Sequence, residues 1–106
     1  MAAGYKAQIA HILKAVARIE EKTKGLTGEN FLRDRAAVCA VQEDLSRIGK
    51  AVEDLPAKIR QRYPAIDWGA WSGIVSPGRD TLWDLAAQRL PAFGEQVNRI
   101  FLDITD

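Results

Sequence analysis

The sequence predicts an all-α fold, an antiparallel bundle of four or five helices. Three observations carry that prediction. Apolar residues recur at steps of three and four in three long segments, the spacing of one helix face. No segment alternates apolar and polar residues with period two over the length of a strand. Glycines and prolines collect between the periodic segments, where they end helices, and hardly inside them.

The first segment holds Ile9, Ile12, Leu13, Val16 and Ile19 and predicts a helix from about Tyr5 to Lys24. Gly25 is the natural stop, because glycine takes the left-handed backbone that closes a helix C-terminus. Leu26 to Asn30 reads as a connector, with Phe31 and Leu32 pinning it to the core. The second long segment is the clearest. Val38, Val41, Leu45, Ile48, Val52 and Leu55 fall at alternating steps of three and four, a heptad-like stripe flanked by the small Ala37, Ala40 and Ala51. Gly49 sits inside this helix at a cost of roughly 1 kcal/mol relative to alanine, which close approach of another helix would offset.

Pro56 suits the first turn of a short helix, Ala57 to Arg62. Tyr63 to Asp80 reads as loop, carrying Pro64, Gly69, Gly73, Pro77 and Gly78 as well as Trp68 and Trp71. Asp80 or Thr81 can cap a helix through Leu82, Trp83, Leu85 and Ala86. Leu90-Pro91 should interrupt the backbone bonding, since proline has no N–H, before a last helix resumes with Phe93, Val97, Ile100, Phe101 and Ile104.

With 106 residues the chain forms one domain, residues 1–106. Lys plus Arg is 15 and Asp plus Glu 14, a net charge of +1, which argues against a dedicated basic nucleic-acid wrapper but leaves room for a local patch. One cysteine, Cys39, allows no intrachain disulfide and fits a reducing compartment. No basic-then-apolar leader opens the sequence, and no run approaches the length that spans a bilayer. The expected location is the cytoplasm, with no membrane association.

No phosphate loop, nucleophile elbow or Cys/His metal cluster is present, so neither a metal site nor a cofactor is expected. His11, the single histidine, reads as a helix-surface or boundary residue, and Cys39 as a small buried hydrophobe among alanines and valines. Glu43 and Arg47, four apart, suit an ordinary surface pair. Lys58, Arg60 and Arg62 beside Tyr63, Trp68 and Trp71 could form a phosphate-plus-stacking surface for single-stranded nucleic acid. Three cations are a weak footprint, however, and a solvated helix face beside a core-filling aromatic loop is the simpler reading.

Taken in order, Phe31 with Asp34, Ala37-Val38, Leu45, Ile48-Gly49 with Ala51, Leu55 and Arg60 lead into Pro64-Ala65-Ile66-Asp67-Trp68, then Gly73-Ile74, Trp83 and Leu90-Pro91. This ordered set resembles the HepT-like family of the HEPN superfamily, over nearly the whole chain. Lys50 departs from it, standing where many relatives have glutamate. The resemblance implies a HEPN-like four- or five-helix bundle that forms a homodimer through an apolar helix face, here the Val38–Leu55 stripe. It implies the toxin half of a toxin–antitoxin module, metal-independent RNA cleavage, and an MNT-type nucleotidyltransferase antitoxin that modifies a tyrosine.

In such relatives the chemistry sits in an Arg, four residues, His, one residue, Tyr motif. Arginine holds the scissile phosphate and histidine moves the proton of the attacking 2′-hydroxyl. The motif should lie between the Gly-Ile pair and the tryptophan helix. Here that interval, Gly73 to Trp83, contains no histidine and no tyrosine, and is about ten residues shorter than the family pattern. Arg79 matches the loop after the motif, so no catalytic residue is carried over; Lys58, Arg60, Arg62 and Arg79 remain as candidates for contact with RNA. The short interval is either a natural deletion, leaving a catalytically silent scaffold, or the trace of a segment between about Ile74 and Ser76 that these 106 residues lack.

Overall fold

The computed structural model describes residues 3–72 and 79–104, with side chains at 6–72 and 81–103. The Gly73-Ile74 pair, the rest of the shortened interval and the side chains of Arg79 and Asp80 lie outside the described residues.

All described elements are helical, as the spacing predicted: α1 Ala3–Thr23, α2 Gly28–Arg33, α3 Arg35–Asp54, α4 Ala57–Arg62, α5 Trp68–Trp71, α6 Arg79–Asp84, a π-helical turn Leu85–Arg89, and α7 Leu90–Ile104. α1 is the hub, packing most extensively on α3 and next on α7. α1 and α3 run antiparallel: Arg18 reaches Asp44, while Gln8, one end of the same face, shares a cleft with Asp54.

Local chemistry sets most of the boundaries. Gly25 ends α1 with a φ of +77°, the only positive φ among the described residues. The expected connector winds into α2 because the Thr27 hydroxyl accepts the Asn30 N–H at 3.1 Å. Asp34 then caps α3, its carboxylate accepting the Ala37 N–H at 3.1 Å. Pro56 opens α4 over the predicted span, with its carbonyl accepting the Ile59 N–H at 3.0 Å. Inside the expected loop, Asp67 turns the chain into the single helical turn α5 by accepting the Ala70 N–H at 3.2 Å.

Leu90-Pro91 does not break the helix. The backbone widens just before the proline, and the Leu90 N–H donates to the carbonyl of Leu85, five residues back. That single π turn gives the proline ring room and keeps Leu82 and Leu85 on one side, and Leu90 and Phe93 on the other, all facing the core.

The core takes Ile9, Ile12, Val16 and Ile19 from α1. From α3 and the residue that closes it come the whole stripe, Val38, Val41, Leu45, Ile48, Val52 and Leu55, and from α7 come Phe93, Val97 and Ile100. The stripe is therefore enclosed by the chain's own helices and offers no open face to a second copy. Trp71 stacks on Phe93 with centroids 4.5 Å apart, and Trp68 meets the same ring edge-on at 6.2 Å. The Trp68 indole N–H donates to the Tyr63 carbonyl at 3.1 Å, which satisfies its polar edge.

One expectation is corrected. Cys39 is exposed, not buried. It follows Val38 by one residue, about a quarter-turn around the helix, and so leaves the core face. Gly94 of α7 stands at a tight crossing: a Cβ there would lie 2.8 Å from Val16 Cγ1 of α1. Gly49 is buried within α3.

Candidate nucleic-acid interface

The predicted cationic residues of α4 do not form one surface. Lys58 and Arg62 are four apart and exposed, on one side of the helix. Arg60 lies on the other side, half-buried, with its Nε enclosed and without a hydrogen-bond partner. Arg62 sits over the Tyr63 ring, 5.8 Å from its centroid. Tyr63 in turn donates its hydroxyl to Asp103 of α7 at 3.3 Å. Trp68 and Trp71 are core residues, so no base could stack on them from this side. What remains on α4 is a pair of solvated cations.

A stronger concentration of positive charge lies elsewhere, between α1 and α3. A cleft of about 410 Å³ is lined by Gln8, His11, Lys14 and Arg18 from α1 and by Arg47, Lys50, Ala51 and Asp54 from α3. Behind its wall sits Asp44, the one buried charged residue among those described, 3% exposed. One oxygen of Asp44 accepts the Arg18 Nε at 3.1 Å and the Arg47 Nη1 at 3.0 Å. Two arginines from different helices thus converge on a single carboxylate, with both side chains half in water. Arg47 also reaches Glu43 at 3.5 Å, the predicted surface pair.

The sequence carries a faint trace of this arrangement. Gln8, His11, Lys14 and Arg18 follow at three, three and four, and Arg47, Lys50 and Asp54 at three and four. Each is a polar helix face with nothing to distinguish it from any solvated face. Only the antiparallel pairing of α1 and α3 sets the two against one another.

Among the described residues no group of three or more His, Cys, Asp and Glu is placed to hold a metal ion, and no helix is long and apolar enough to cross a membrane.

Comparison with known proteins gives a consistent picture. The family described as Ribonuclease HepT-like matches residues 12–74. The candidate RNase MJ1216 of Methanocaldococcus jannaschii is 31% identical over 107 aligned positions, covering 93% of this chain and 88% of that protein. The candidate RNase TTE0752 of Caldanaerobacter subterraneus is 27% identical over 104, covering 87% and 89%. A candidate ribonuclease HepT of Thermococcus cleftensis is 32% identical over 68 residues, 64% of this chain and 62% of that protein. No solved structure matches.

The lengths are informative. For MJ1216, 93% of 106 residues is about 99, matched over 107 positions. For TTE0752, 87% is about 92, matched over 104. Those relatives therefore carry about eight and about a dozen positions without a counterpart here. The family match itself stops at Ile74, the second residue of the shortened interval.

Proposed function

The chain belongs to the HepT-like ribonuclease family, and from that premise we propose that it is the toxin-side protein of a toxin–antitoxin pair which, as these 106 residues, binds its partners without cutting RNA. The observation that carries the second half is the interval Gly73 to Trp83, which has no histidine to move a proton and no tyrosine to be modified. The end of the family match at Ile74, inside that interval, supports the same reading.

The proposed partner is an MNT-type nucleotidyltransferase, and the proposed setting the cytoplasm, in keeping with a lone exposed thiol. The proposed homodimer uses a surface outside the α3 stripe, since that stripe is enclosed.

The test is a gel assay of labelled RNA with the purified chain, beside an intact mass. The expected result is uncut RNA from a protein of 11.7 kDa, co-purifying with a nucleotidyltransferase encoded by the same genome. Cleavage that disappears in Arg79→Ala would overturn the proposal. A mass higher by about ten residues' worth would return the missing segment and, with it, the expectation of catalysis.

A further inference from the structure

We propose that the α1–α3 cleft is a binding site for the phosphate backbone of single-stranded RNA. The inference goes beyond the proposed function by taking RNA as a ligand that a HepT-like ribonuclease scaffold still engages without its catalytic pair, and it places that ligand away from α4.

The first argument is charge. Four of the eight residues lining the cleft, Lys14, Arg18, Arg47 and Lys50, are cations, against one carboxylate, Asp54. Asp44 and Glu43 pair with the two arginines and offset part of that charge, leaving Lys14 and Lys50 as the cleft's cations outside any ion pair among the described residues. A concave wall with an excess of one sign focuses the field on whatever enters it.

The second argument is preorganisation. Two arginines placed side by side repel, and the fold holds them together with a buried carboxylate that takes one N–H from each. Arg18 commits its Nε and keeps both terminal nitrogens for another anion; Arg47 keeps donors beyond those it gives to Asp44 and Glu43. Planar guanidinium forks fixed in this way suit phosphate oxygens, which accept two N–H bonds at once. Asp44 acts as a positioning residue.

The third argument is the pairing of cations with acceptors, which suits a polyanion that also carries donors. At one end of the cleft Gln8 and Asp54 provide hydrogen-bond acceptors. Ribose 2′-hydroxyls and base amino groups can donate to them, as can the backbone N–H groups of a peptide, so competition by poly-glutamate separates the two. The cationic centre would hold phosphates and the Gln8–Asp54 end would meet sugar or base.

The experiment is fluorescence anisotropy of a short fluorescein-labelled single-stranded RNA of mixed sequence, titrated with the full chain across a range of salt. Lys14→Gln with Lys50→Gln removes two exposed cations and should leave the fold intact, which far-UV circular dichroism verifies. The expected result is binding about tenfold weaker, with a salt slope shallower by about 0.7 for each phosphate that the variant no longer neutralises. Lys58→Gln with Arg62→Gln, the matched change on α4, should alter binding much less. Unlabelled RNA should displace the probe far better than AMP, inorganic phosphate or poly-glutamate of equal charge.

If the native chain binds RNA and the cleft variant binds as well as it does, or the α4 variant is the one that fails, the site assignment is overturned while RNA remains the ligand. If poly-glutamate competes equally, the cleft is an acidic-protein surface and the proposal falls. If the native chain binds no RNA at moderate salt, the reading that RNA is its ligand falls first.

Discussion

Gly94 shows how little space a single position can have. Helix propensity alone would favour alanine there by about 1 kcal/mol. A methyl group would meet the buried, β-branched Val16 at 2.8 Å, and overpacking of that kind costs about 1–3 kcal/mol. The clash should win, so Gly94→Ala lowers stability in a urea melt, and Val16→Ala introduced with it recovers part of the loss. A higher melting midpoint for Gly94→Ala alone would mean that α1 and α7 do not cross so closely. Asp44 sets a second residue-scale test. Its carboxylate is almost fully enclosed, but both arginines are half in water and can be resolvated. Asp44→Ala should therefore cost about 1–2 kcal/mol, the worth of hydrogen bonds to a charged group less that screening. Arg18→Ala, which leaves Asp44 its bond from Arg47, should cost less. The reverse order in chemical denaturation would show that Asp44 does not organise the pair.

Elements add cooperativity to these local choices. Asp34 closes α2 and opens α3, accepting the Ala37 N–H while its own N–H donates to the Phe31 carbonyl at 3.1 Å. Asp34→Ala should cost about 0.5–2 kcal/mol by calorimetry, because it leaves the first turn of α3 unsatisfied. The α3 stripe gives a sharper test. Ile48 is fully enclosed by the chain's own helices. Ile48→Asp should therefore give unfolded or insoluble protein by circular dichroism. A soluble variant with unchanged melting would place Ile48 on an outer surface. The stripe, α1 and α4 could all be read in advance, since each is governed by spacing and capping within a few residues. The π turn before Pro91 could not. A proline forbids a regular hydrogen bond, but whether the chain breaks or bulges depends on what the flanking residues bury, and here Leu85 and Phe93 both face the core.

For the whole molecule the helices form a body of 44 × 23 × 21 Å with a radius of gyration of 13.8 Å, close to the ordinary compact value of about 13 Å for a chain of this size. Leu102 is the one large hydrophobic residue that is exposed among those described, at 57%. A second copy covering it would be one use of that end of α7; light scattering at twice 11.7 kDa, reduced to 11.7 kDa in Leu102→Lys, is the expected outcome of such a contact. Unchanged mass in the variant would exclude Leu102 from the interface. The aromatic residues also acquire their meaning at this scale. Trp68 and Trp71 beside a basic helix allow either a stacking platform or a core. Their packing on Phe93, some twenty residues away in sequence, settles it as core.

Residue order alone was enough for the helical class, the heptad-like face of α3, the stop at Gly25, the short helix after Pro56 and the absence of a His-x-Tyr pair between Gly73 and Trp83. These are local properties, written in periodicity, backbone conformation and residue identity. Helix packing was needed to show that the stripe faces inward, that Cys39 faces water, that Gly94 marks a tight helix crossing, and that two ordinary polar faces meet as a basic cleft around Asp44. Each of those depends on which helix lies against which, and residues 26 positions apart, such as Arg18 and Asp44, become neighbours only when two helices pack.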